Sequence, residues 1–333
     1  AAEFLGRIFT SADWGLTWTP CETNRNWQAL ASSADGTKLA AAVSGGQIYV
    51  SSDSGATWAG RESNRQWVSV ASSADGERLA APAFNDYIYT STNSGATWLA
   101  RASARQWQSI ASSADGTRLA AVVSGGRIYV SGDAGATWTP RDADRTWRSI
   151  ASSADGTRLV AVAYADQIYT SADAGVTWTP RGYVGRWRSV ASSADGTRLV
   201  AAAYADQIYT SADAGVTWTP RASVQNWWTV ASSADGTTLV AVTPGEGSEV
   251  GRILVSRGSL AGRPGTSAAV QYLGGGVWQP LNEAMIAAGA VGRAQLASQA
   301  VQSGNLAAGA VTAGAIAAGA VGRPDHRDVE DAP

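Results

Sequence analysis

One cysteine, Cys21, and one histidine, His326, stand in a chain of 333 residues. A lone cysteine excludes an internal disulfide framework and every multi-cysteine zinc or iron–sulfur site. The histidine is the eighth residue from the end, in a charged tail, so a histidine-dependent triad or metal centre would have to rest on that one residue. Lysine occurs once, as Lys38, and the formal net charge is −2. No basic surface is available to drive nucleic-acid binding by counterion release, and DNA and RNA are not expected partners. No run of about 18 apolar residues marks a membrane span, and no signal peptide is visible. Only 16% of residues are charged and 45% are hydrophobic, which excludes a disordered chain.

What is abundant is tryptophan, glycine and alanine, in a strict period. Trp27, Trp67, Trp107, Trp147, Trp187 and Trp227 stand forty residues apart, each followed by the same Ala-Ser-Ser-Ala-Asp-Gly string. Residues 148–187 and 188–227 agree at 34 of 40 positions, the mark of duplication. Within one unit, 187–226, turn signals divide the sequence into four short runs. They are Trp187 to Ala191 before Asp195-Gly196, then Thr197 to Ala203, then Gln207 to Thr210, then Val216 to Thr219 before Pro220. No run is long enough, at a period of 3.6, to be a helix. Four short antiparallel strands cannot bury both faces alone, so the units must stack face to face, and radial closure protects their edges. The expected fold is all-β, a β-propeller of four-stranded antiparallel blades.

A second motif sits in the last hairpin of each unit. Ser-x-Asp-x-Gly-x-Thr-Trp occurs at 11–18, 51–58, 91–98, 131–138, 171–178 and 211–218, with Asn93 replacing the aspartate in the third copy. On these residues the chain resembles the BNR or Asp-box propellers over residues 1–258. The box chemistry reads as structural: Asp13, Asp53, Asn93, Asp133, Asp173 and Asp213 accept backbone N–H groups across a turn. Asparagine can do the same, whereas calcium binding or acid catalysis would suffer from it. The third-strand pattern, from Arg7-Ile8-Phe9 to Arg252-Ile253-Leu254, occurs seven times against six complete boxes, which favours seven blades over six. Ala1 and Ala2 align inside a second strand, which implies processing or truncation. Residues 259–281 read as a β-hairpin and linker that closes the ring.

Some Asp-box propellers are sialidases, and the resemblance implies an arginine triad, a tyrosine with a glutamate partner and an aspartic acid, each at a unique place. Here nearly every charged residue is repeated, and Glu246 with Glu249 is the only plausible acidic pair, so catalysis is not expected. The chain also resembles photosystem II stability and assembly factors at the level of the fold. No cofactor or metal is implied.

The units differ most just before each repeating tryptophan. Arg25 with Trp27, Arg65 with Trp67, Arg105 with Trp107, Arg145 with Trp147, Arg186 with Trp187 and Asn226 with Trp227 place a planar donor beside an indole. If the indoles are exposed, a sugar can stack on them while the donors meet its hydroxyls, giving a multivalent lectin. The alternative is that each Trp closes the core between blades and each Arg is a solvated rim charge. A second set, Arg61, Arg101, Arg141, Arg181 and Arg221, follows the outermost strand. It is expected to lie round the circumference, in surface or inter-blade pairs with acids.

From Ala284 the texture changes. Ile286, Val291, Leu296, Val301, Leu306, Val311, Ile316 and Val321 recur every five residues, a period that makes no helical stripe. Residues 282–323 read as a short β-rich pentad-repeat stalk, resembling pentapeptide-repeat coils or the trimeric shafts of phage tail fibres. Residues 324–333 form a charged tail. The reading is a non-enzymatic structural and adhesive protein of an extracellular or particle-borne fibre. Its head is expected to bind glycans, and its stalk to drive homotrimer formation. A pure protein–protein spacer or assembly factor is the alternative.

Overall fold

The computed structural model describes residues 1–2, 5–12, 17–244, 252–257, 267–272 and 278–280. Asp13, Glu246, Glu249, the expected stalk and the charged tail lie outside the described residues. Among the described residues every regular element is a β-strand and no helix occurs.

One module shows how the sequence builds its blade. Trp187 to Ser192 pairs antiparallel with Leu199–Ala203, from Trp187 opposite Ala203 to Ser192 opposite Leu199. Leu199–Ala203 turns through Ala205, at a φ of 53°, into Asp206–Ser211. That strand pairs with Thr219–Gln225, Ile208 opposite Arg221. Alternation places Val200 and Ala202 on one face and Leu199, Ala201 and Ala203 on the other, and all five are buried. Both faces are apolar because both meet a neighbouring module. Val160, Val162 and Ile168 of the preceding module pack on Trp187, Val190, Leu199, Ala201 and Tyr209. In turn Val200, Ala202 and Ile208 pack on Trp227 and Val230 of the next. Each core therefore belongs to two modules, and no module is stable by itself.

The first strands are also joined to one another. The backbone N–H of Val190 donates to Ser149 Oγ at 3.2 Å, and that of Val230 to Ser189 Oγ at 3.2 Å. In the turn that follows, Ala154 N–H donates to Ala194 O, and Ala194 N–H to Ala234 O, both at 2.7 Å. These bonds, repeated at the module period, satisfy backbone donors that the free edge of a first strand would leave open.

The segment before each tryptophan belongs to the sheets: fourth and first strands of successive modules run on as Leu99–Ser112, Thr139–Ser152 and Thr179–Ser192. Its middle pairs with the turn between second and third strands, Gly126 opposite Arg145. A residue at positive φ, such as Glu62 or Asp142, provides the bend. Within 259–281, Ser267–Tyr272 pairs antiparallel with Trp278–Pro280, the hairpin expected there, and it joins the last sheet through Arg252–Arg257.

At the other end, Ala1 exchanges backbone hydrogen bonds with Phe9 and Ala2 bridges Ile8, the register of Ala201 with Tyr209 and Ala202 with Ile208. Trp18 packs on Val240, Val242, Ile253 and Val255, so a residue of the first module lies on the last sheet. It occupies the place that Trp218 takes against Val160, Val162 and Ile168. The fold is a β-propeller.

Candidate functional site

The Asp-box carboxylates serve their own hairpins. Thr57 donates to Asp53 twice, from its backbone N–H at 2.8 Å and its hydroxyl at 2.6 Å. Ser51 Oγ donates to Asp53 at 2.8 Å and accepts from Gly55 N–H at 2.9 Å. Trp58 Nε1 closes the turn on Gly55 O at 3.0 Å. Asp133, Asp173 and Asp213 repeat this set. The Thr57 hydroxyl, with the Thr57 amide and Ser51, holds Asp53 down at about 2, an ionised acceptor unsuited to proton transfer. Among the described residues no group of three His, Cys, Asp or Glu side chains has metal-binding geometry. Burial pushes the Cys21 thiol up, which reduces its thiolate fraction.

The six repeating tryptophans are core residues. Trp67, Trp107, Trp147 and Trp187 are 0% exposed, Trp227 1% and Trp27 4%, so none offers a face on which a sugar could stack. Each of Trp27, Trp67, Trp107, Trp147 and Trp187 meets a tyrosine edge to face, as Trp147 meets Tyr169 at 5.2 Å. That overturns the multivalent exposed-indole site.

The arginines beside them cap the same tyrosines. Arg65 lies 4.2 Å over the Tyr89 ring, with Nη1 at 2.8 Å from Asp86 and Nη2 at 3.4 Å from Glu62. Arg145 lies 4.3 Å over Tyr169, paired with Asp166 at 3.0 Å and Asp142 at 3.5 Å. Arg25 covers Tyr49 at 4.3 Å and pairs with Glu22 at 3.2 Å. Arg105 covers Tyr129 at 4.6 Å without an ion pair, since Ala102 and Gly126 stand where the acids would be. Arg186 is out of step: Gly185, opposite Asp166, holds the position of Arg145, which lies opposite Gly126. Tyr183 covers Tyr209 in its place at 5.0 Å between centroids and donates to Asp206 at 3.0 Å. Burial, with the bonds to Tyr209 and Asp206, pushes the Tyr183 phenol up. Asn226 is half-buried beside Trp227. These are clamps between modules, not a converging ligand set.

A different cluster does face outward, one residue beyond the core tryptophan. Those positions are Gln28, Val68, Gln108, Arg148, Arg188 and Trp228, and they differ in kind from module to module. Arg188 lies between two rings, 5.1 Å from Tyr204 and 4.8 Å from Trp228, and Arg148 lies 5.6 Å from Tyr164. Trp228 is 51% exposed and Tyr164 38%. Neither arginine forms an ion pair among the described residues, and the Nε of each is buried without a partner. Tyr164 and Tyr204 come from the turn between second and third strands, so the cluster lies on the rim opposite the Asp boxes. Arg148 and Arg188 are the extra residues of a β-bulge, Trp187 lying opposite Ala203 and Ser189 opposite Ala202, so strand alternation read from the sequence does not place them.

No family model matches the chain, and no curated protein does. Solved structures are similar. One described as YCF48 bound to D1 peptide superposes with a TM-score of 0.58 at 15% identity, over 78% of this chain and 88% of that one. The GH74 xyloglucanase from Xanthomonas campestris gives 0.60 at 16% identity, over 80% of this chain and 55% of that one. The Swd1 β-propeller domain of Myceliophteria thermophila Cps50 gives 0.55 at 15%, over 68% and 83%. The chain thus spans about half the length of the xyloglucanase. These likenesses bear on the propeller fold alone.

Proposed function

We propose that the chain is a non-enzymatic recognition propeller that docks a protein segment carrying carboxylates on the rim formed by Arg148, Arg188, Tyr164, Tyr204 and Trp228. The observation that carries this reading is the pair of arginines set over exposed aromatic rings, at 4.8 to 5.6 Å from their centroids, and left without acidic partners, where Arg65 and Arg145 are each paired with two acids. A guanidinium fixed by stacking loses little freedom when it takes a carboxylate in a bidentate bond. The similarity to a propeller whose structure holds a peptide supports the same kind of partner. The ring is read as seven-bladed, which the packing of Trp18 on the last sheet supports.

A random peptide display screen tests the site. Selected peptides are expected to be enriched in Asp, Glu or a free C-terminus, and to lose binding by about tenfold or more on Arg148→Gln/Arg188→Gln. Peptides that bind the double variant equally well would remove the proposal.

Of the rim beside the repeating tryptophans, this cluster alone keeps an exposed indole for a glycan, Trp228; a glycan array with Trp228→Ala separates that role from peptide docking. The adhesive, extracellular fibre setting and the trimer through residues 282–323 extend this reading from sequence. Mass measurement with and without 282–333 tests the stalk, a monomer in both cases excluding it.

A further inference from the structure

The modules are near-copies, yet two of the interfaces between them are filled unequally. A cavity of about 320 Å³ lies between the second and third modules, lined by Lys38, Val50, Ser52, Thr57, Trp58, Arg61 and Asn93 among others. The matching position one module on, lined by Arg78, Thr90, Thr92 and Ala134, encloses only about 10 Å³. Nine of the ten residues lining the smaller space have a counterpart in the larger at an interval of forty. The difference is therefore side-chain chemistry: Lys38 stands for Arg78, Val50 for Thr90, Ser52 for Thr92 and Ser94 for Ala134.

Three departures from the repeat meet in this cavity. Lys38 is the only lysine of the chain. Asn93 is the only box residue of its kind that is not aspartate. Its amide keeps the box intact, with Oδ1 accepting from Thr97 N–H at 2.9 Å and Nδ2 donating to the Thr97 hydroxyl at 2.9 Å. Arg61 is exposed, whereas Arg101, Arg141, Arg181 and Arg221 are half-buried. Arg181 and Arg221 donate to Thr170 and Thr210, whereas Val50, like Val130 in the module of Arg141, gives Arg61 no acceptor, and Arg61 alone of the five is exposed. Arg61 makes no hydrogen bond or ion pair among the described residues. No Asp or Glu lines the cavity. Glu77 approaches Lys38 at 3.8 Å with its side chain 60% exposed, and Asp53 is taken up by its own box. The lining thus carries two cations, several hydroxyls and the half-buried Trp58 ring, at a volume suited to one small ligand.

We propose that this cavity is a binding site for a carboxylated monosaccharide, a sugar acid. Arg61 and Lys38 meet the carboxylate, Trp58 offers its ring to the apolar face of the sugar, and Ser52 and Thr57 face its hydroxyls. Asn93 contributes by removing a fixed negative charge without removing the turn. The site lies on the Asp-box side and does not depend on the peptide-docking rim.

The test is titration of the whole chain with sodium glucuronate, with glucose and sodium acetate as controls, followed by ligand-observed NMR. One glucuronate site per chain is expected, with glucose and acetate each about tenfold weaker or more. Asn93→Asp restores the residue that the other boxes use, so it is expected to fold normally, with an unchanged melting temperature. It should weaken glucuronate by about tenfold or more, as should Arg61→Gln. Glucuronate binding that is absent, matched by acetate or by glucose, or unchanged in Asn93→Asp would overturn the proposal.

Discussion

Thr97 meets Asn93 through the same two atoms by which Thr137 meets Asp133, but with one donor reversed. Thr137 Oγ1 donates to Asp133 Oδ2 at 2.6 Å, whereas Asn93 Nδ2 donates to Thr97 Oγ1 at 2.9 Å. The hydroxyl accommodates either partner because it both donates and accepts. The box thus tolerates loss of charge and requires only a short side chain with an acceptor oxygen.

Asp133→Asn is accordingly expected to change stability by less than about 1 kcal/mol, and Asp133→Ala to cost about 1–3 kcal/mol by stranding the Thr137 donors. Urea unfolding of the two variants measures this. An alanine as benign as the asparagine would show that the box hydrogen bonds contribute nothing.

Acid sensitivity follows from the same groups. Hydrogen bonds to ionised oxygens, the Ser113 hydroxyl first at Asp115 and the Thr137 hydroxyl first at Asp133, hold these carboxyls down at about 2 from 3.8. Asp155, Asp173 and Asp195 behave alike. A folded-state value below the unfolded one contributes stability that is complete above the unfolded value. It is lost as pH falls from about 4 towards about 2. Melting temperature should be level above about pH 5 and drop steeply below about pH 4; a level profile down to about pH 2.5 would contradict the assignment.

Gly185 gives a prediction against repeat consensus. A Cβ there would meet Trp187 Cε2 at 2.8 Å, and Tyr183 already covers the tyrosine that an arginine would cover. Gly185→Arg, which restores the residue found in earlier modules, should destabilise by about 1–3 kcal/mol. A stabilised variant in thermal melts would refute this.

Two tryptophans one residue apart should part company. Trp227→Ala empties a buried site at the last complete interface and should cost about 3–5 kcal/mol. Trp228→Ala removes a half-exposed ring and should stay within about 0.5 kcal/mol while altering ligand binding. Equal losses in chemical denaturation would place Trp228 in the core.

Much of the architecture was readable from residues alone. Asp195-Gly196 and the Ser211 to Trp218 box mark their turns through local chemistry, a positive φ at glycine and short acceptors beside free amides. The sequence suggests a shared rim site because Arg145 and Trp147 stand two residues apart, yet Arg145 lies over Tyr169, twenty-four residues on, and Trp147 turns into the core. The forty-residue period already puts Gly185, not Arg186, at the place of Arg145; what the sequence does not show is that Tyr183 takes over the cover of Tyr209, a contact across paired strands.

The sequence by itself determined the module, its four strands and its turns, because forty residues of alternating burial and Asp-Gly punctuation specify local geometry at short range. It also determined that the modules share their cores, since both faces of each sheet are apolar. Only the tertiary structure decided that two near-identical interfaces are filled unequally and which arginines go without acids. Those outcomes depend on residues of different modules meeting across a gap, where a methyl for a hydroxyl or a lysine for an arginine decides whether the space is filled.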